Sequence, residues 1–583
     1  MKKRKYHGKK RIDINQKSFA FTHRYDEGKF AFEKLRNIKD AFNLKINNRL
    51  ILSSIIFSTI FVAVAIKMVE INLFYQSQDN YFSLVEYSER GNFYDRNNIS
   101  LTANLKMYDI GIKPNKIHEK NRFIKKFASL YSDISSDELS KRIDSNRFFY
   151  LKRKISPKEL QKIIDLGETG LEIKDSYKRI YSQRELFSHL IGKVDIDNKG
   201  VSGMEKSFNV ILFDEEKGDV ISSVDTRLQH IMRDELLDAI GLYNATGGAG
   251  LIIDVNNGEI LSMVSLPDFD PNLKITNNHN MFNKNTLGLY EFGSVMKTFT
   301  TAIGIEEKKF LTETLYDVPD SIKIGENRVK DVHRPCEEDR CSVENIFVHS
   351  SNVGTVKMVR DIGTDLQKNY LDELGLFYKV NIKLPELASP LLPETWRMVN
   401  TESISYGYGL SISPLHLAYA TATVLNGGYI LEPSIIKKDV EYDYGRKIFS
   451  DETSEIMRYL FSKVVSDGTA QRAFSEHTEF KYVVGGKTGT AKKIEDKQYT
   501  NKKMTSFISA FPINRPKYLI LVSLDEPKGI NDDYHPYNTF GWTDAGWNAA
   551  RVSRNVIDRI SPILDTNSRY LPSENLIIKT SLQ

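Results

Sequence analysis

Cysteine is nearly missing. The 583 residues hold two, Cys336 and Cys341, close together in the chain. Two thiolates do not complete the tetrahedral set of a structural zinc, so no metal centre is expected. A local disulfide or two free thiols both remain open. Excess charge is also scarce: 81 Lys and Arg face 76 Asp and Glu, a net of +5. The balance is uneven along the chain, with 15 basic against 5 acidic residues in 1–49 and 66 against 71 in the remainder. The basic character therefore belongs to the tail. A solvated, membrane-flanking tail explains it more simply than nucleic-acid binding, so no nucleic acid is expected as a partner.

One uncharged apolar run follows that tail, from Leu50 to Ile66, with Lys67 next. Its length is at the short end of the roughly 17–25 residues that span a bilayer, and Lys67 can snorkel to the far interface. A buried core helix or a cleaved signal peptide are the alternatives. The run starts far in, and no small-x-small cleavage site follows it, so an uncleaved single anchor is expected. The positive-inside bias keeps 1–49 cytoplasmic and puts the rest outside the cytoplasmic membrane.

Two common catalytic loops are absent. Gly486-Lys487-Thr488 is not a phosphate-binding loop, because the glycine needed five positions earlier is Lys481. No G-x-S-x-G elbow surrounds Ser294 or Ser350, so His349 does not signal a Ser-His-Asp triad.

What is present is Tyr290-Glu291-Phe292-Gly293-Ser294-Val295-Met296-Lys297. On a helix, Ser294 and Lys297 share a face. A lysine can take a serine proton only when neutral, which burial or a nearby cation promotes. The stretch reads as an activated serine at a helix start. Alone it is weak, and Ser434-Ile435-Ile436-Lys437 is a strand-like decoy. Further along come Ser350-Ser351-Asn352, expected between a helix and a loop tip at Val353-Gly354, and Lys487-Thr488-Gly489-Thr490, expected after a strand over 481–484. S-x-N decoys occur at Ser207-Phe208-Asn209 and Ser573-Glu574-Asn575. S-x-x-K, S-x-N and K-T-G in that order are the signature of penicillin-recognising serine acyltransferases.

Around these motifs the pattern predicts a helix from an Asp225 or Thr226 cap, then a strand over 250–255. An Asn256-Asn257-Gly258-Glu259 turn leads to a return strand over 260–265. Strands over 505–510 and 518–524 and a helix over 544–560 follow. The expected fold is α+β: an antiparallel sheet with helices on its faces. Residues 80–220 show no catalytic cluster. Arg90 to Asn97, Arg179-Ile180-Tyr181 and Gly200 to Glu205 look like salt-bridged joints of a pedestal.

Beyond the three motifs, Ser405-Tyr406-Gly407-Tyr408-Gly409-Leu410-Ser411, Ser413-Pro414-Leu415, Asn426-Gly427-Gly428 and Lys487 to Ala491 resemble the class B penicillin-binding proteins, most closely the division-specific FtsI type. The Arg90–Asn97 and Gly200–Glu205 stretches resemble that family's pedestal, and Thr543 to Ala550 the end of its catalytic domain. Phe292 and Ser182 stand where the family usually has proline, and neither change removes a reacting group.

The resemblance implies a basic tail (1–49), a single transmembrane helix (50–70) and an elongated α/β pedestal of dimerisation type (71–220). It also implies a transpeptidase domain with an all-helical subdomain (221–565) and a C-terminal tail (566–583). It implies peptidoglycan D,D-transpeptidation in septal wall synthesis through a Ser294 acyl-enzyme. Lys297 would be the base and Ser350 a proton relay. Asn352 would hold Lys297 and the substrate amide, and Lys487 would supply charge. Thr488, Gly489 and Thr490 would bind the substrate. No cofactor is implied. The implied partners are stem peptides, β-lactams as inhibitors, an FtsW-type glycosyltransferase and other septal proteins. The implied location is the bacterial inner membrane, with the catalytic domain in the periplasm. The alternatives are an elongation-type relative, a hydrolase of the same peptides, and an inactive scaffold or sensor.

Overall fold

The computed structural model describes residues 57–68, 89–131, 134–213, 218–337, 339–475, 482–495 and 498–564. The tails expected at 1–49 and 566–583, and the start of the pedestal, lie outside them. So does part of the expected 50–70 span; residues 57–68 form a helix with exposed side chains. Among the described residues no helix is long and apolar enough to cross a membrane.

The region after residue 86 is a separate compact unit. Its first part is a three-stranded antiparallel sheet with Thr102–Ile112 in the centre, flanked by Phe149–Ile155 and Leu171–Tyr181. Helices Lys120–Leu130, Ser136–Asp144 and Pro157–Ile164 cover it. The first buries Phe123, Ile124 and Phe127, one stripe at helical spacing, against Ile110 and Ile112 of the central strand. The third starts where the sequence dictates. Ser156 and Glu159 form a reciprocal cap around Pro157, whose missing N–H costs nothing there.

The three joints expected from sequence meet in one buried ion cluster. Arg90 Nε donates to Glu205 Oε2 at 2.7 Å, and Arg179 Nε donates to Glu205 Oε1 at 2.7 Å. Arg90 also donates to the Glu205 carbonyl and to Asn209, and Arg179 to Asn92 and Asn104. All three charged side chains are at most 1% exposed. One carboxylate thus compensates two desolvated guanidinium groups.

The catalytic-motif region is built on a five-stranded antiparallel sheet. Its order is Gly485–Glu495, Gln498–Phe511, Tyr518–Asp525, Gly247–Asp254, Ile260–Leu266. Every residue of the last three strands is buried, so both faces are covered. Helices Thr226–Leu242 and Ala549–Ile560 pack together on one face. Asp225 caps the former by accepting from the Arg227 amide at 2.9 Å. The wholly buried helix Pro414–Leu425 and helix Asp451–Ser466 cover the other face, and behind them lies a helical subdomain. A 3-10 turn at Ala545–Trp547 and Asn548 precede the last helix, which therefore starts later than residue 544.

Two further expectations are corrected. Tyr482–Val484 are not in a strand; the strand is Gly485–Glu495 and carries the Lys487 motif itself. Gly489 is required there by close approach: a Cβ on it would lie 2.4 Å from the Phe292 carbonyl oxygen. Nor is Val353-Gly354 a loop tip. Ser351 accepts from the Gly354 amide at 2.8 Å and so caps helix Asn352–Ile362, which places both residues in its first turn. The open cysteine question resolves as a Cys336–Cys341 disulfide.

Removing Glu205 leaves two buried cations unpaired, which costs about 3–5 kcal/mol. Glu205→Ala is expected to lower the melting temperature markedly, read by circular dichroism or differential scanning fluorimetry. An unchanged melt would mean that the cluster carries no stability.

Candidate active site

Ser294 sits in a single 3-10 turn, Gly293–Met296, that feeds helix Lys297–Glu306. Gly293 has φ +52°, and a Cβ there would lie 2.5 Å from the Thr490 carbonyl oxygen. Glycine therefore lets the serine turn press against the Lys487 strand. In that strand, alternation sends the Lys487 side chain into the protein and Thr488, Thr490 and Lys492 to the lining of a cleft of about 520 Å³. Ser294, Ser350 and Asn352 line the same cleft.

Lys297 and Lys487 are both fully buried, and both ammonium groups point at one hydroxyl. Lys297 Nζ lies 3.1 Å from Ser350 Oγ, and Lys487 Nζ lies 3.0 Å from it. Lys297 also donates to the Ser350 carbonyl at 2.6 Å and to Asn352 Oδ1 at 2.7 Å. Among the described residues no hydrogen bond joins Lys297 to the Ser294 hydroxyl. Ser350 holds its position with φ +63°, a left-handed conformation that costs a non-glycine residue about 1–2 kcal/mol. Asn352 is aimed by a bond from its Nδ2 to the Lys330 carbonyl at 3.1 Å.

Burial is the main cause that lowers both lysines. Lys297 falls to about 7. Lys487 is pushed well below its ordinary value, further helped by the Lys297 charge. The like-charge suppression expected at Lys297 is thus felt at Lys487. The charge acting on Lys297 is the opposite one, Asp331, which raises it.

Asp331 escaped the sequence reading, since Lys330-Asp331-Val332 carries no spacing signal. Its carboxylate accepts from Ser351 Oγ at 2.7 Å and from the Asn352 and Val353 amides, across the start of helix Asn352–Ile362. Negative charge is favoured at that helix end. Thr469 also went unread. Its hydroxyl lies 2.6 Å from that of Thr488 and orients it. Thr490 Oγ1 accepts from the Ala545 amide at 3.1 Å and keeps its own hydrogen to donate. Gly489 lies between these threonines, against the serine turn. At the outer end of the cleft Lys503 pairs with Asp544 at 3.2 Å, and Arg472 stacks 4.0 Å over Trp547. Of the decoys, Ser434 and Ile436 form isolated bridges, and Ser207 ends a short helix away from the cleft. Asn575 and its neighbours lie outside the described residues.

Lysine titration followed by NMR of 13Cε-labelled protein is expected to give Lys297 a midpoint near pH 7. Asp331→Asn removes the anion that favours its charged form and should lower that midpoint by roughly one pH unit. An unshifted midpoint would mean that Asp331 exerts no field on Lys297.

Family models, named relatives and solved structures agree with one another. A family model for the penicillin binding protein transpeptidase domain matches residues 248–539. One for the penicillin-binding protein dimerisation domain matches 85–221. A Caulobacter vibrioides protein named probable peptidoglycan D,D-transpeptidase FtsI is 31% identical over 82% of this chain and 81% of its own length. The Escherichia coli K12 peptidoglycan D,D-transpeptidase FtsI is 27% identical over 76% of this chain and 80% of its own. A crystal structure of a peptidoglycan synthetase from Bifidobacterium adolescentis superposes with TM-score 0.64 at 18% identity, covering 84% of this chain and 97% of that one. That last likeness speaks for the mixed α/β fold alone, while the two family models give the dimerisation and transpeptidase domains. The chain belongs to the penicillin-binding proteins, in their class B, FtsI-like branch.

Proposed function

We propose that the chain is a serine-type peptidoglycan D,D-transpeptidase that cross-links stem peptides through a Ser294 acyl-enzyme. The observation that carries this reading is the Ser350 hydroxyl held between two fully buried lysines beside Ser294. The D,D-transpeptidase names of the relatives support it.

Ser294 Oγ attacks the carbonyl between the two terminal D-alanines and gives its proton to Lys297. With Lys297 near 7, about half of it is neutral at neutral pH, so the base exists without a large energetic cost. The direct Ser294–Lys297 bond forms as the substrate closes over the turn, as catalytic contacts often tighten only on binding. The proton then passes through Ser350 to the leaving amine, and the last D-alanine departs. Backbone N–H groups of Ser294 and Thr490 stabilise the oxyanion, each worth about 3–4 kcal/mol. The contact of Gly293 with Thr490 brings those two segments together. Thr488 and Thr490 hydroxyls bind the terminal carboxylate, and Gly489 leaves the strand open beside them. The arriving carboxylate supplies the countercharge that favours protonated Lys487. Asn352 holds the substrate amide. An amine of a neighbouring stem peptide then takes the acyl group and restores Ser294.

β-Lactams resemble the D-alanyl-D-alanine end and acylate the same serine. Release is slow. Among the described residues the one carboxylate that lines the cleft is Asp544, already paired with Lys503. The buried Glu291 does not line the cleft; its Oε1 accepts from the Gly409 amide at 2.6 Å and from Tyr499. Among the described residues no unpaired carboxylate lines the cleft to activate water.

The same reading assigns the enzyme to division, in septal wall synthesis beside an FtsW-type glycosyltransferase. It is anchored in the cytoplasmic membrane by 50–70, with the catalytic domain in the periplasm. The FtsI names of the relatives and the uncharged run 50–66 support this. A fluorescent fusion is expected to collect at the septum; an even lateral distribution would point to the elongation type.

Intact-mass spectrometry after exposure to a penicillin is expected to show a stable gain of one drug mass, absent in Ser294→Ala. No adduct in either protein would favour an inactive scaffold, and an adduct lost with drug hydrolysis would favour a β-lactamase. The acylation rate should rise with pH through about 7, because the neutral lysine is the active form above its pKa. A flat profile would remove Lys297 as the base.

A further inference from the structure

One wall of the cleft is a stretch with little of its own to hold it. Residues 330–342 run between two small strand pairs: Asn327–Val329 with Ile322–Ile324, and Arg340–Ser342 with Leu315–Asp317. In the space between, 332–337 make no backbone–backbone hydrogen bond among the described residues. Val332 and His333 line the cleft, and Val332 is 70% exposed. Arg334 pairs with Asp339, but both are exposed, and such pairs hold weakly. The His333 ring lies 5.6 Å from that of Trp542.

The strong ties are two. At one end the Asp331 carboxylate accepts from Ser351, Asn352 and Val353. At the other end the chain is covalently closed by Cys336–Cys341. Cys341 is buried in the strand Arg340–Ser342, and Ser342 caps helix Val343–Val348, which leads straight to Ser350. The disulfide therefore joins two stretches that both end at the reacting groups: Asp331 on one side and Ser350 on the other.

We propose that the Cys336–Cys341 disulfide is a positioning bond for acyl transfer: it holds Asp331 against the amides of Asn352 and Val353, and its reduction by a dithiol slows acylation of Ser294. The second half rests on the transpeptidase reading. A dithiol thiolate attacks the half-buried Cys336 sulfur, and Cys341 leaves as a thiolate. The second thiol of the reagent then displaces Cys336. Two electrons and two protons pass to the protein, and the reagent becomes a disulfide. The opened loop regains conformational freedom, and Asp331 leaves the helix start. Asn352 and Ser350 lose their setting. Lys297 then faces Lys487 across Ser350 without its anion, which favours its neutral form.

The test uses the full-length protein in detergent, oxidised or reduced with dithiothreitol and alkylated, beside Cys336→Ser/Cys341→Ser. Hydrogen–deuterium exchange reads the amides of Asn352 and Val353. Uptake of a fluorescent penicillin, followed over a pH series, reads the acylation rate. Reduction is expected to raise exchange at those two amides, to slow acylation about tenfold, and to move the pH profile to lower pH. The double serine variant should behave like the reduced protein without any reductant. In Asp331→Asn, reduction should add little further loss, since both changes act through one contact. Equal exchange, or equal rates, in oxidised and reduced protein would overturn the proposal. If oxidised protein takes up no drug, the transpeptidase reading falls, while the exchange comparison still decides whether the bond positions Asp331. Should the serine variant fail to fold, reduced wild type decides alone.

Discussion

Two fully buried lysine ammonium groups converge on one hydroxyl at the floor of the cleft, and the rest of the catalytic domain serves that arrangement. Taking a cation out of water is costly, and two beside each other repel. The protein answers with neutral acceptors rather than an adjacent carboxylate: the Ser350 carbonyl and hydroxyl, Asn352 Oδ1, and the face of Phe347, whose ring centre lies 5.5 Å from Lys487 Nζ. A carboxylate in direct contact would hold Lys297 charged and spoil it as a base. Asp331 stays one shell away, on the backbone of the helix start, where it tempers the depression without cancelling it.

The site was legible in sequence to the extent that chemistry is carried by residue type and short spacing. Ser294 with Lys297, Ser350 with Asn352, and Lys487 with Thr488 and Thr490 each sit within one turn or one strand, so local pattern is enough to single them out. Asp331 and Thr469 act across the fold, from segments with no motif, and nothing local distinguishes them from other surface-rich stretches. The strand expected over 481–484 lies later, at Gly485–Glu495, because the apolar run before the glycines carries the stronger local strand signal. Its glycines are the small residues of a strand that another backbone touches. Val353-Gly354 departs in the opposite direction: a glycine after Ser and Asn suggests a loop tip, yet serine is also among the favoured helix caps.

The fold follows the same division. Hairpin Gly247–Leu266 and helix Thr226–Leu242 announce themselves through turn and cap chemistry. The pairing of Gly247–Asp254 with Tyr518–Asp525 is invisible locally, because identical alternation would suit any neighbour. The arginine and glutamate joints were visible as charge-rich corners, but only the fold shows that Glu205 serves both arginines.

That pairing has a consequence for how the molecule comes into being. The sheet takes two strands from the beginning of the catalytic domain and three from its end, with the helical subdomain threaded between. A chain that emerges amino end first exposes the apolar strand Gly247–Asp254 long before its hydrogen-bonding neighbour Tyr518–Asp525 exists, and closing so long a loop is slow. During that interval the half-sheet is an open template for adhesion to other chains. The order of synthesis therefore leaves the edge of the first half-sheet unpaired until the last strands arrive.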